Sequence, residues 1–275
     1  MAGPIMRPQI VLFGSSIIQM SFDNGGWGAI LANLYARKAD IILRGYSGWN
    51  SRRALEVLMK FSQGMQHLSK RGMKFDMVCG VLDWIQLQFF SYFEESPVQP
   101  SLLIVYFGGN DSVHPHPSGL GPHVPLEEYV ENMRKIANHL KSLSDHIRII
   151  FLTSPPINEE LIRKKLRIHK LLVLHQFSNE FLAALNPIEY GLMELCEEMN
   201  IKAINLWSAI QTREDWLDDS FTKNRAAVTF RCALDLCRAI PSLDEVHLSA
   251  EGNKVVVKEI LKVLRKVDWK TSLHW

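Results

Sequence analysis

Cysteine is scarce, with 4 in 275 residues, and none of the four stands in a pattern that binds zinc or cycles between thiol and disulfide. Cys79 and Cys196 stand alone and the Cys232 to Cys237 spacing matches no paired motif, so all four read as buried or incidental thiols. An excess of one charge is also missing. Lys and Arg number 31 against 29 Asp and Glu, a formal charge of +2, which removes nucleic acid as the default partner and points to a small molecule. No apolar run approaches the ~18 residues of a membrane span, the longest strand-like one being residues 102–107. The opening MAGPIMRPQIVLFGSS reaches Gly14 without the extended apolar stretch of a secretory signal, so a reducing, cytoplasmic setting is expected. Neither the G-x-x-x-x-G-K-[ST] phosphate loop nor the G-x-S-x-G elbow occurs, and there is no repeat, linker or low-complexity tract.

What is present is ordinary globular material, 47% hydrophobic and 22% charged, enough for one core and a single domain over residues 1–275. Short apolar runs at 10–13, 41–43, 102–106, 147–152 and 203–206 read as strands buried on both faces. Residues 27–38, 51–59, 126–143, 189–199 and 252–267 carry apolar side chains at helical spacing. Strand alternating with helix implies crossover connections, hence a three-layer α/β/α sandwich around a five-stranded parallel sheet. Functional groups of such folds collect in the loops that leave the C-terminal strand ends.

Four segments at those places carry candidate chemistry. The first strand runs into Gly14-Ser15-Ser16, which puts the Ser16 hydroxyl at the mouth of the sheet as a candidate nucleophile; the same pair is also ordinary helix-cap sequence. A serine needs a base to take its proton and a carboxylate to orient that base. His247 follows Asp244 by three residues, directly ahead of the closing helix, within reach of one turn; a surface turn with a capping Asp reads equally well from the local sequence. After the strongest strand comes Gly108-Gly109-Asn110-Asp111, where Asn110 can aim an amide N–H at a developing oxyanion, or else form an Asn/Asp turn. After the second strand comes Arg44-Gly45-Tyr46-Ser47-Gly48, in which the Gly45 N–H is a further candidate donor.

These four blocks, in this order, resemble the GDSL or SGNH hydrolases, and most of all the plant GDSL esterase/lipases of the isoamyl-acetate-hydrolysing type. The resemblance implies a flavodoxin-like SGNH fold and a serine esterase acting on short-chain, acetate-type esters through an acyl-enzyme, with no metal and no cofactor. It implies Ser16 as nucleophile, His247 as base and Asp244 as its orienter. The Ser16 N–H, the Gly45 N–H and the Asn110 side chain are then the oxyanion hole. Ser15 stands where the family name expects Asp, beside the nucleophile and outside the triad. Residues 61–97 and 223–243 sit where the family is shorter, and 164–189 matches poorly. The third strand is expected to run uninterrupted past the first insertion, and the second leads directly into Asp244. Two alternatives stand beside the esterase: a carbohydrate O-deacetylase, and an SGNH-fold binding protein whose catalysis the insertions impair. A small-molecule ester is the expected partner, with no nucleic acid and no membrane span. His114, His116 and His123 lack a fourth ligand and are not read as a metal site. The final aromatics, Trp269 and Trp275, are expected to pack on the fold rather than form a substrate lip.

Overall fold

The computed structural model describes residues 7–59, 99–113, 115, 119, 121–156, 180–212 and 248–269. Five parallel strands form one sheet: β1 (Gln9–Gly14), β2 (Asp40–Gly45), β3 (Leu102–Tyr106), β4 (Arg148–Leu152) and β5 (Lys202–Ile204), in the order β2-β1-β3-β4-β5. The three central strands are buried along almost their whole length, and their alternating side chains feed two cores. Ile10 and Leu12 of β1, Ile104 of β3 and Ile150 of β4 face one cluster. Val11 and Phe13, Leu103 and Val105, and Ile149 and Phe151 face the other. A strand covered on both sides has no polar face to present, which is why these runs are apolar without alternation.

The helices divide between the two faces. Helix α1 (Ser16–Gln19), α2 (Trp27–Leu34), α6 (Leu206–Gln211) and α7 (Ala250–Lys266) send Ile18, Leu31, Leu206 and Ile260 into the first core. Helix α3 (residues 51–59), α4 (Leu126–Leu143) and α5 (Glu180–Glu198) send Val57, Ile136 and Leu192 into the second. The division follows from handedness. The step from β1 to β2 runs one way along the sheet and the later steps run the other way, so crossovers of a single hand must place their helices on opposite faces. The reversal creates a switch point between β1 and β3, where the loops leaving the strand ends diverge and leave a crevice.

Several boundaries differ from the sequence expectation for local reasons. Helix α2 stops at Leu34 instead of 38, because Arg37 takes φ of 69° and turns the chain towards β2. Strand β5 ends at Ile204, because Asn205 accepts a 2.8 Å bond from Ser208 N and so caps α6. Helix α7 starts two residues early, Ser249 Oγ taking the Gly252 N–H at 3.1 Å. Helix α5 runs from Glu180 rather than 189, with Pro187 inside it. Burial of Ile188, Leu192 and Leu195 outweighs the one backbone bond a proline removes. Strand β3 is uninterrupted, as expected; the insertions themselves lie outside the described residues.

Candidate active site

The C-terminal strand ends meet around Gly14. It pairs with Gly45 of β2 on one side and Tyr106 of β3 on the other, so the chain leaving β1 starts between the two neighbouring loops. A Cβ at Gly14 would collide with the Tyr106 carbonyl oxygen, and one at Gly45 with the backbone of Gln19, so both positions require glycine. Ser15 donates its N–H to Tyr106 O at 3.3 Å and is itself buried. Ser16 opens α1 and is only half-buried. In that turn Ile18 N and Gln19 N donate to Ser15 O at 3.1 and 3.0 Å. As the first residue of the turn, Ser16 has no carbonyl of the turn behind its own N–H.

Gly45 packs against the end of α1, and the next residue secures the loop: Tyr46 N donates to Gly14 O at 2.8 Å. Ser47 N donates to Gln19 Oε1 at 2.6 Å, and the Tyr46 and Trp49 rings stack at 4.2 Å. Asn110 lies four residues past β3, 6% exposed, and its Nδ2 donates to Trp49 O at 2.7 Å. A primary amide has two N–H bonds, so this contact fixes the side chain and leaves one for another acceptor. Ser16, Gly45 and Asn110 thus share one end of the sheet.

Asp111 organises the loops. It is fully buried, and its two carboxylate oxygens accept Ser51 N at 2.8 Å and Gly108 N at 3.1 Å. It therefore ties the start of α3 to the loop after β3. Burial pushes its acid up to about 6, while bonds from Ser51, its own N–H and Gly108 hold it from rising further. Asn132 Nδ2 donates to Ser51 Oγ at 3.1 Å, and Asn50 caps α3 through Arg53 N at 2.8 Å while donating to Pro122 O at 2.7 Å. Gly108, at φ of 130°, is enclosed by Tyr129 Oη, Ile188 and Ser154. The sequence shows Asp111 only as part of a turn; the signal that singles it out is a carboxylate just past a wholly apolar strand.

Asp244 and His247 lie outside the described residues; the residue that follows His247 does not. Leu248 O accepts Asn253 Nδ2 at 3.4 Å, Asn253 Oδ1 accepts Trp27 N at 3.1 Å, and Trp27 Nε1 donates to Ile17 O at 3.2 Å. Three bonds therefore connect the neighbour of His247 to the neighbour of Ser16. Val255, Ile260 and Leu264 bury the closing helix that carries this link, as its sequence pattern predicts. Asn253 itself is not evident in the sequence, since an Asn in a helix's first turn has no distinguishing pattern.

On the β4 side the polar groups are differently placed. Among the described residues Glu189 Oε1 is buried without a hydrogen-bond partner, and burial pushes the Glu189 acid up to about 8. Of the remaining sequence features, His123 Nδ1 contacts Val113 O at 2.7 Å, Cys196 is buried, and Trp269 packs on the first core under the Arg148 guanidinium. His114, His116, Cys79, Cys232, Cys237 and Trp275 lie outside the described residues.

Comparison with known proteins adds what geometry alone does not. The model of the GDSL-like Lipase/Acylhydrolase family matches residues 10–260. The GDSL esterase/lipase WDL1 of Oryza sativa subsp. japonica is 47% identical over 269 residues, covering 98% of this chain and 82% of its own. The isoamyl acetate-hydrolyzing esterase 1 homolog of Bos taurus is 28% identical over 96% of this chain and 84% of its own. Among solved structures, the lipase/acylhydrolase from Enterococcus faecalis superposes with a TM-score of 0.53 at 15% identity, over 94% of this chain and 95% of that one, a likeness of fold.

Proposed function

The chain belongs to the GDSL-like lipase/acylhydrolase family of carboxylic ester hydrolases, and from that premise we propose that it cleaves short-chain, acetate-type esters with Ser16 as nucleophile and His247 as base. The observation that carries the reading is the convergence on Gly14: the loops of Ser16, Gly45 and Asn110 leave adjacent strand ends, and Asn253 and Trp27 link the Ser16 turn to Leu248. The name of the bovine relative supports an acetate as the acyl part.

In this mechanism Ser16 Oγ attacks the ester carbonyl and its proton passes to His247 Nε2, with Asp244 orienting the ring. The negative charge that forms on the carbonyl oxygen is held by the Ser16 and Gly45 N–H groups and the second Asn110 N–H. Collapse releases the alcohol, protonated by His247. Water then attacks the acyl-enzyme, gives a proton to His247, and collapse returns that proton to Ser16 Oγ as the carboxylic acid leaves. Asn110 suits the role because Trp49 O already fixes its rotamer, so no ordering is left for the moment of reaction.

The test is labelling of the whole chain by a fluorophosphonate with the modified residue mapped, beside rates on isoamyl acetate and on acetylated xylan. Modification at Ser16 and faster turnover of the alkyl acetate are expected. No labelling of Ser16 overturns the nucleophile and leaves a binding protein. Preference for xylan replaces the substrate class with a carbohydrate O-acetyl ester.

A further inference from the structure

A second recess lies at the opposite end of the sheet. It opens where β4 and β5 begin, between the last turns of α4 and α7, and has a volume of about 630 Å3, within the ~300–1,000 Å3 of small-molecule sites. Lys141, Arg148, Lys202, Lys262 and Lys266 line it against two acids. On a chain of formal charge +2 that is a local concentration of one sign. Helix architecture accounts for part of it. Lys141 donates to Met199 O at 2.8 Å, Lys262 pairs with Glu259 at 3.1 Å, and Lys266 sits in the last turn of α7, where a cation offsets the helix dipole.

Arg148 and Lys202 have no such role, since each is the first residue of a strand. The Arg148 guanidinium lies 5.3 Å from the centre of the Trp269 ring, and burial holds it below its ordinary range with no carboxylate among the described residues acting on it. A partly dehydrated guanidinium stacked on an indole keeps its planar fork of donors, the geometry that takes two oxygens of an oxyanion at once. The surplus of three cations over acids suits a dianion better than a carboxylate, and a phosphate monoester carries about −1.5 to −2 at neutral pH.

We propose that this cleft binds a phosphate monoester group, with Arg148 as its forked donor and Lys202 and Lys266 as the flanking cations. The site is separate from ester hydrolysis, because β4 and β5 place it at the strand starts while Ser16 and Asn110 lie past the strand ends.

The experiment titrates the full chain with glycerol 3-phosphate by calorimetry and tryptophan fluorescence, and with phosphatidylcholine vesicles with and without phosphatidic acid by co-sedimentation. Saturable binding is expected, weakened at least tenfold by Arg148→Gln and by the exposed Lys202→Gln, and unchanged in Ser16→Ala. Trp269→Phe should remove most of the fluorescence change and leave the heat of binding. Response to glycerol 3-phosphate identifies a soluble ligand; response only to phosphatidic acid vesicles, lost in both variants, identifies a lipid headgroup. Binding of neither probe, or binding indifferent to Arg148→Gln and Lys202→Gln, overturns the proposal.

Discussion

Two carboxyl groups are buried beside the loop that carries Asn110, and they are held by opposite means. Asp111 faces the β1–β2 side, where its oxygens accept Ser51 N and Gly108 N and its acid rises only to about 6. Glu189 faces the β4 side, where Ile188 touches the Gly108 surroundings; its Oε1 has no partner among the described residues and its acid rises to about 8. Desolvation acts on both; donors offset it on one. The difference shows where the fold is preorganised. On the Asp111 side the carboxylate ties two loops together, whereas at Glu189 no donor among the described residues offsets the burial of Oε1, and the raised pKa favours the neutral acid instead.

The strongest way to break that comparison is to remove the chemistry the organised side is built around. Ser16→Ala and His247→Ala are each expected to lower hydrolysis of a short-chain aryl acetate by about 10⁴–10⁶, and the double variant should be hardly worse than either, since such residues act as one unit. Retention of most wild-type turnover by Ser16→Ala would mean that preorganisation at this end serves binding rather than catalysis. Asn110→Ala comes next, with kcat reduced by roughly 10²–10³ and KM little changed, the signature of an oxyanion donor. A raised KM at constant kcat would make Asn110 a substrate-binding residue.

Asp111 tests the comparison directly. Asp111→Ala strands two buried N–H groups, each worth ~1–3 kcal/mol when left without an acceptor, so a stability loss of about 3 kcal/mol is expected in urea unfolding. Asp111→Asn keeps one acceptor oxygen and should lose roughly half as much. Equal losses would show that the charge, not the two bonds, holds the loops. Asn253→Ala should cost ~1–2 kcal/mol, since Trp27 N loses its acceptor, and lower kcat about tenfold through the chain leading to Leu248. A change in stability with kcat intact would separate that chain from the site.

Legibility in the sequence follows burial and close backbone approach rather than side. Strands β1, β3 and β4 are legible because doubly buried parallel strands are continuous apolar runs, and the close backbone approaches at Gly14 and Gly45 demand the one residue type that marks them. Asn110 and Asp111 are adjacent, yet only the first reads as functional, because Asp111 acts through Ser51, 60 residues away, and its role depends on tertiary packing. Asn253 is hidden for the same reason: its partner Trp27 lies 226 residues away. Glu189 carries no local signal at all. It marks the expected start of α5, where an acid looks like an exposed first-turn residue, and only the extension of the helix back to Glu180 places it in the interior.

The last comparison is the sharpest, because it depends on pH rather than on a lost contact. An acid whose folded pKa is raised binds more protons folded than unfolded between the two values, so stability falls as pH rises through that interval and levels off above it. For Asp111 the interval closes at about 6; for Glu189 it extends from the ordinary glutamate range to about 8. Between pH 6 and 8 the two acids therefore separate, with a limiting slope for Glu189 of ~1.4 kcal/mol per pH unit. Glu189→Gln keeps the volume and removes the proton. Against wild type it should be nearly neutral in stability at pH 5, more stable at pH 8, and indistinguishable in kcat/KM on the aryl acetate. Urea unfolding of both proteins at pH 5, 6, 7, 8 and 9 measures this, the histidines cancelling because both chains carry them. Parallel curves would mean that Glu189 finds a donor in solution, and the two sides of the loop would then be organised alike.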